Sequence, residues 1–180
     1  MSRKIEVVPY NPIWPEKYQT EAWQIEKIFK DNLIAIHHIG STAIPSIKAK
    51  PVIDIMVIVQ DIEKVAAINP AMIRLGYIPR GEYGIRGRRY FNKNTSGVRS
   101  HHVHIYALGN PEIDFHLDFR DYLRAHPTEA QAYSNLKEGL ASQYRYDSEA
   151  YSESKTEFVK RILELAGKWR LENPPTQETD

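Results

Sequence analysis

Apolar residues along the chain follow two rhythms, and the change from one to the other outlines the fold. Residues 4–8 alternate briefly, as a strand would, and Pro9 closes them into a turn rich in Asn, Pro and Trp (PYNPIWP). Trp14, Tyr18, Ala22, Ile25, Ile28 and Phe29 then recur at roughly helical spacing, which predicts a first helix. Residues 33–39 form a short apolar strand that feeds the turn Gly40-Ser41-Thr42. Pro51 opens a second strand over 52–59, whose nearly continuous branched residues fit a central strand buried on both faces. Asp61 stands where a helix cap is needed, ahead of a helix that ends near Gly76.

From Tyr77 to Tyr106 the pattern breaks into short extended pieces separated by Gly81, Gly84, Gly87 and Gly97, which predicts a hairpin with strands at 88–92 and 102–107. Asn110-Pro111-Glu112 starts another helix, with Asn capping, Pro in the first turn and the acid facing the helix dipole. Residues 113–119 also alternate, with Asp114, His116 and Asp118 on one side, so a strand stays open there. Two further helices are expected at 128–144 and 148–169, before a polar tail at 173–180. Strands dominate the first two thirds and helices the last. That order predicts an α+β fold: a mixed sheet with flanking helices and a helical C-terminal layer.

Length and composition narrow the picture. With 180 residues, 42% of them apolar, the chain can bury one sizeable core, and residues 1–172 are read as a single domain. A formal net charge of +1 supplies no global field, so nucleic-acid binding is not indicated beyond a local patch. The absence of cysteine excludes disulfides, thiolate metal sites and thiol nucleophiles, and suits a reducing compartment. No apolar run reaches membrane-spanning length, and MSRKIEVVPY lacks the apolar core of a signal peptide. A cytoplasmic protein without membrane partners is expected.

The chemistry starts at Gly40-Ser41-Thr42. A glycine ending a strand lets the backbone present amide donors, and Ser41 and Thr42 add hydroxyls, a combination suited to phosphate or simply to capping the next segment. The turn lacks the GxxxxGK[ST] spacing of a P-loop. Asp54, among Val52, Ile53, Ile55, Met56 and Val57, would be costly to bury without a partner; a metal cation is one candidate and Lys50 another. His102 and His104 alternate on one strand and share a face, so both can meet one metal or one phosphate, or serve as hydrogen-bonded structural residues. His38, before the turn, is expected to face the same cleft. Arg80, Arg86, Arg88, Arg89, Lys93 and Arg99 outnumber the single acid Glu82 in the hairpin, where Arg88 and Arg89 can clamp a phosphate and Tyr83 and Tyr90 can stack a base. In FRDYLRAHP, Arg120, Asp121 and Arg124 form either an ionic lock to the sheet, with Asp121 pairing Arg124, or the polar wall of a site; Asp118 and Asp121 are candidates for a displaced metal acid. Lys137 and Lys155 read as solvated helical lysines.

A Gly-Ser turn followed by an acid on the next strand resembles the nucleotidyltransferase superfamily, in which the turn grips nucleotide phosphates and strand acids hold Mg²⁺. More closely, NPIWP, HIGSTAIP, KPVIDI, HHVHI, FRDYLRAHP and the Tyr/Lys pattern at Tyr133 to Lys137 and Tyr151 to Lys155 resemble the GrpB family over nearly the whole chain. The resemblance implies a nucleotidyltransferase-like fold and a metal-assisted transfer of a nucleotidyl group. Gly40, Ser41 and Thr42 would hold phosphates, Asp54 a divalent metal (Mg or Mn), and Lys50 and the hairpin arginines would neutralise charge. His102 or His104 would complete the site or move a proton. The ligand would be a nucleotide or another phosphorylated small molecule. The chain departs from the superfamily at Met56, where a second strand carboxylate is expected, and at His102 and His104, where the neighbouring strand would offer an acid. Imidazole ligands shift such a site toward zinc or manganese. Two rivals follow: a non-catalytic nucleotide- or phosphometabolite-binding module, and a phosphoester hydrolase whose metal is held by His38, His102 and His104.

Overall fold

The structure, a computed structural model, describes residues 4–175. Residues 1–3 of the leader reading and 176–180 of the expected polar tail lie outside the described residues. Five strands form one mixed sheet: β1 (Leu33–Ile39), β2 (Ile53–Val59), β3 (Tyr77–Pro79), β4 (Arg89–Thr95) and β5 (Val98–Ala107), in the order β1-β2-β5-β4-β3. β2 and β5 are parallel and the other neighbours antiparallel. Six α-helices flank the sheet: α1 (Trp14–Phe29), α2 (Asn69–Arg74), α3 (Pro111–Ala125), α4 (Pro127–Gln143), α5 (Ser148–Glu153) and α6 (Thr156–Glu172).

Alternation along the central strands sorts their side chains into two layers. Ile53, Ile55, Val57 and Val59 of β2, Val103 and Ile105 of β5 and Phe91 of β4 pack with Trp14, Ile25 and Phe29 of α1 and Met72 of α2. On the other face Met56, Ile58 and Tyr106 pack with Ile39 and with Ile113 of α3. Tyr122 and Leu123 at the end of α3, with Ala130, Tyr133, Ile162 and Ala166, bind the C-terminal helices to one another and to Ile44 and Ile47 after the turn.

Three expectations change, and one open alternative closes in favour of the expected helix. Residues 4–8 are not a strand: only Val8 bridges, to Ala49, because Ile5 packs on Leu140, Ala141 and Tyr151 of the helical layer and its amide donates to Arg145 O. Residues 113–119 are helical, since the Asn110 side chain accepts from Glu112 N at 3.0 Å and Pro111 opens the first turn. The helix expected at 148–169 is two, broken at Ser154-Lys155, where the Ser154 amide turns back to Ala150 O and the Lys155 amide to Ser152 O. Asp61 does cap, but its side chain opens a 3₁₀ stretch (Ile62–Ile68) ahead of α2. No helix among the described residues is long and apolar enough to cross a membrane.

Candidate functional site

β2 and β5 run side by side in parallel with Asp54 opposite His102 and Met56 opposite His104, so register carries all four side chains to the α3 face. Asp54 Oδ1 accepts from His102 Nδ1 and from His104 Nε2, each at 3.1 Å. The three ligand atoms lie within 4.8 Å of one another, and the Asp54 side chain keeps 27% of its surface open. Burial raises the Asp54 pKa, but the hydrogen bonds from the two imidazoles outweigh it and hold the carboxyl far below the usual carboxylate range. Asp54 is an anion at any physiological pH.

These spacings suit a shared cation. Ligands about 2.0–2.1 Å from a tetrahedral ion stand about 3.3 Å from one another, close to the separations of Asp54 Oδ1 from the two nitrogens. Arg88 works in the other direction. Its Nη1 donates to His104 Nδ1 at 3.3 Å, which leaves the ring proton on Nε2, pointing at Asp54.

The Gly40-Ser41 turn closes over the carboxylate. Gly40 has φ +72°, and a Cβ there would lie 2.9 Å from Asp54 Oδ2, so both the backbone angle and the close approach require glycine. Ser41 stays partly open and meets the Tyr133 hydroxyl. Thr42 does not present its hydroxyl to a phosphate: it is 2% exposed and its Oγ1 pairs with His38 Nε2 at 2.9 Å.

Several expected members stand elsewhere. His38 pairs in register with Ile55, which puts it on the α1 face, stacked on Tyr18 with ring centroids 4.8 Å apart. The histidine that shares the Met56 position of register is His37. Burial holds His38 down at about 4, with Arg124 adding to the shift. Arg89 also belongs to the α1 face, opposite Ile105, and pairs with Glu63 at 3.3 Å. Arg88 reaches the site, but its other donors are committed to the carbonyls of Glu82 and Tyr83, so it props the hairpin instead of clamping a phosphate.

FRDYLRAHP is a lock. Arg120 Nη1 donates to His38 O at 3.1 Å and Arg124 Nε to Ala43 O at 2.8 Å, fastening α3 to both ends of the turn. Asp121 pairs with Arg120 and Arg170, not Arg124, and Asp118 pairs with Arg170. Neither acid joins the metal-competent cluster, because α6 claims both.

Two groups escaped the sequence reading. His116 of α3 lies over His104, ring centroids 5.6 Å apart, and burial, then His104, hold it down at about 4. Lys137, taken for a solvated residue, is 2% exposed, and Lys155 is half-buried. The signal was the pair of Tyr-to-Lys steps four residues apart, which on a helix place each ammonium over a ring. Lys137 Nζ lies 4.5 Å from the Tyr133 centroid, and Lys155 Nζ 4.5 Å from that of Tyr151. Lys50 lies over the same Tyr151 ring, at 4.2 Å.

The model of the family described as GrpB protein matches residues 4–165. UPF0157 protein YqkA of Bacillus subtilis is 46% identical over 168 residues, 93% of this chain but 49% of that protein, so the chain spans about half its length. Glutamate-rich protein GrpB of Alkalihalophilus pseudofirmus is 32% identical over 164 residues, 89% of this chain and 94% of that protein. A more distant likeness, 26% over 156 residues, covers 38% of a dephospho-CoA kinase of Mycobacterium bovis. The crystal structure of conserved protein GrpB from Enterococcus faecalis superposes with a TM-score of 0.89 at 42% identity, over 92% of this chain and 99% of that one. With a matched model spanning most of its length and a solved relative of the same fold, the chain belongs to the GrpB family.

Proposed function

We propose that the chain binds a phosphorylated small molecule, a nucleotide in the first instance, beside one divalent cation held by Asp54, His102 and His104, and assists transfer of its nucleotidyl group. The observation that carries this reading is the convergence of those three ligand atoms within 4.8 Å on one face of the sheet, directly under the Gly-Ser turn. The arrangement of turn and strand acid also favours a nucleotidyltransferase-like reading of the fold. One oxygen and two nitrogen donors suit zinc or manganese better than magnesium. When bound, such an ion polarises a phosphoryl oxygen and offsets charge that develops on it.

The chain's own groups supply the rest. Asp54 stays ionised, the Gly40-Ser41 turn lies beside it, and His102, partly open at 26%, turns its Nδ1 to the same point as Asp54 Oδ1. For Nε2 of His104 to act as a ligand its proton must pass to Nδ1, so Arg88 has to turn away from that nitrogen. The kinase activity in the name of the distant mycobacterial match belongs to a protein of which the match covers 38%, and it carries no part of this reading.

A second reading, a binding module without turnover, draws on Met56. Its side chain is fully buried with Ile39, Ile58, Tyr106 and Ile113, so the second strand carboxylate of a two-metal clamp has been replaced by core. The hydrolase built on His38, His102 and His104 is set aside, because His38 points into the opposite layer.

Calorimetric titration of nucleoside triphosphates into wild type and Asp54→Asn, with and without Zn²⁺ or Mn²⁺, tests the proposal. Metal-dependent binding that disappears in the variant supports a working site. Binding indifferent to metal and to substitution favours the module, and no binding at all removes the nucleotide.

A further inference from the structure

At the edge of the site three lysines gather from separate parts of the chain. Lys50 comes from the segment entering β2, Lys137 from α4, and Lys155 from the break between α5 and α6. The break itself aims Lys155 back over Tyr151, the ring that Lys50 also covers. Lys137 is fixed from below: its Nζ donates to Lys48 O, while Ser134 Oγ accepts from Lys48 N at 2.9 Å. The Tyr133 ring under Lys137 carries the hydroxyl that meets Ser41, so the lysine cluster begins where the Gly-Ser turn ends.

Such a cluster is unfavourable by itself. Neither Lys137 nor Lys155 makes an ion pair among the described residues, and their company is other ammonium groups, a carbonyl and two aromatic faces. Ring faces and a carbonyl attract a cation only partly, and a buried charge left without a counter-ion costs stability. Burial, then Lys155 and Lys50, hold Lys137 down at about 7. Burial, then Lys50, hold Lys155 at about 8, against the pull of Asp54. What Lys137 and Lys155 lack, among the described residues, is an anion within ion-pairing distance.

We propose that Lys50, Lys137 and Lys155, backed by Tyr133 and Tyr151, form a pocket for the diphosphate end of the ligand, next to the Asp54 cluster. This deepens the reading above and rests on it for the position of the metal, but the pocket binds its anion without one. Three converging ammonium groups select a ligand carrying several adjacent phosphoryl charges, a di- or triphosphate ester in preference to a monophosphate.

The test is calorimetric titration of inorganic pyrophosphate into metal-free full-length chain, with melting curves for every variant. Wild type binds, and Lys155→Met and Lys137→Met weaken binding by roughly ten- to a hundredfold. Lys155→Met carries the conclusion if Lys137→Met fails to fold, since Lys155 is partly exposed at a helix junction. No pyrophosphate binding by the wild type, or equal binding by wild type and Lys155→Met, overturns the pocket. Zinc retention after dialysis, measured on the same samples, reports on Asp54, His102 and His104 separately, so either site can fail without the other.

Discussion

The two faces of one sheet differ by a single step along each strand. Ile53, Ile55, Val57 and Val59 close against α1 and α2 with almost no surface left, whereas Asp54, one residue over, sits with two imidazoles in a cleft that remains partly open. On the first face every position is filled by the shape of its neighbours. On the second, Met56, Ile58 and Tyr106 pack under α3 while Asp54, His102 and His104 gather at the strand end beside the turn, with His104 meeting His116 of α3. The apolar half of β2 stabilises the sheet, and the strand end beside the Gly-Ser turn carries the polar cluster of the proposed site.

Paired substitutions break this comparison most sharply. Ile55→Ala should cost about 2–5 kcal/mol in a denaturant melt and leave metal retention intact once folded. Asp54→Asn should do the reverse, lowering metal affinity by more than about 100-fold, beyond the usual effect of outer-shell changes, with a smaller change in the melt. Gly40→Ala comes next and spans both readouts. A side chain at φ +72°, ψ −171° costs about 1–3 kcal/mol, and its Cβ displaces Asp54 Oδ2, so calorimetry should show lost metal binding as well as a lower melting temperature.

An acid titration compares the faces by charge. His38 on one face and His116 on the other are both held at about 4 by burial, from an ordinary 6.5. The unfolded chain therefore takes up protons first, and the fold loses stability as pH falls from 6.5 to 4, with no further contribution from these two below that. Melts across this range should show the decline, and His116→Asn should make it shallower. The smallest expected effect is at Arg88. Arg88→Gln replaces a donor facing His104 Nδ1 with a group that can accept, so zinc affinity should rise by about tenfold in a competitive chelator titration.

Much of this was legible beforehand. Strand β1 and nearly all of β2 stand out as branched apolar runs bounded by turn residues, and Asn110-Pro111-Glu112 marks the start of α3 in its own chemistry. The mixed sheet and the helical C-terminal layer follow from the order of patterns. β3 escaped because three residues ending in proline carry no period, and the α5–α6 break because both sides are helical and neither glycine nor proline stands between them.

The site divides along the same line. Asp54 is conspicuous in an apolar strand, and His102 and His104 share a face by alternation alone. Which of His37 and His38 falls on their side of the sheet depends on the β1–β2 register, a tertiary fact that neighbouring histidines do not encode. Lys137 was misjudged for a similar reason: its spacing from Tyr133 is visible, but its burial depends on the Lys48 carbonyl, 89 residues away in the chain.

The central claim is that Asp54, His102 and His104 hold one divalent ion. Purified chain should be dialysed against Zn²⁺ or Mn²⁺ and then against metal-free buffer, and its metal content measured beside Asp54→Asn and His104→Ala. The account predicts one ion per chain in the wild type and none in either folded variant. A wild type that retains no metal, or variants that retain as much as it does, would contradict the account.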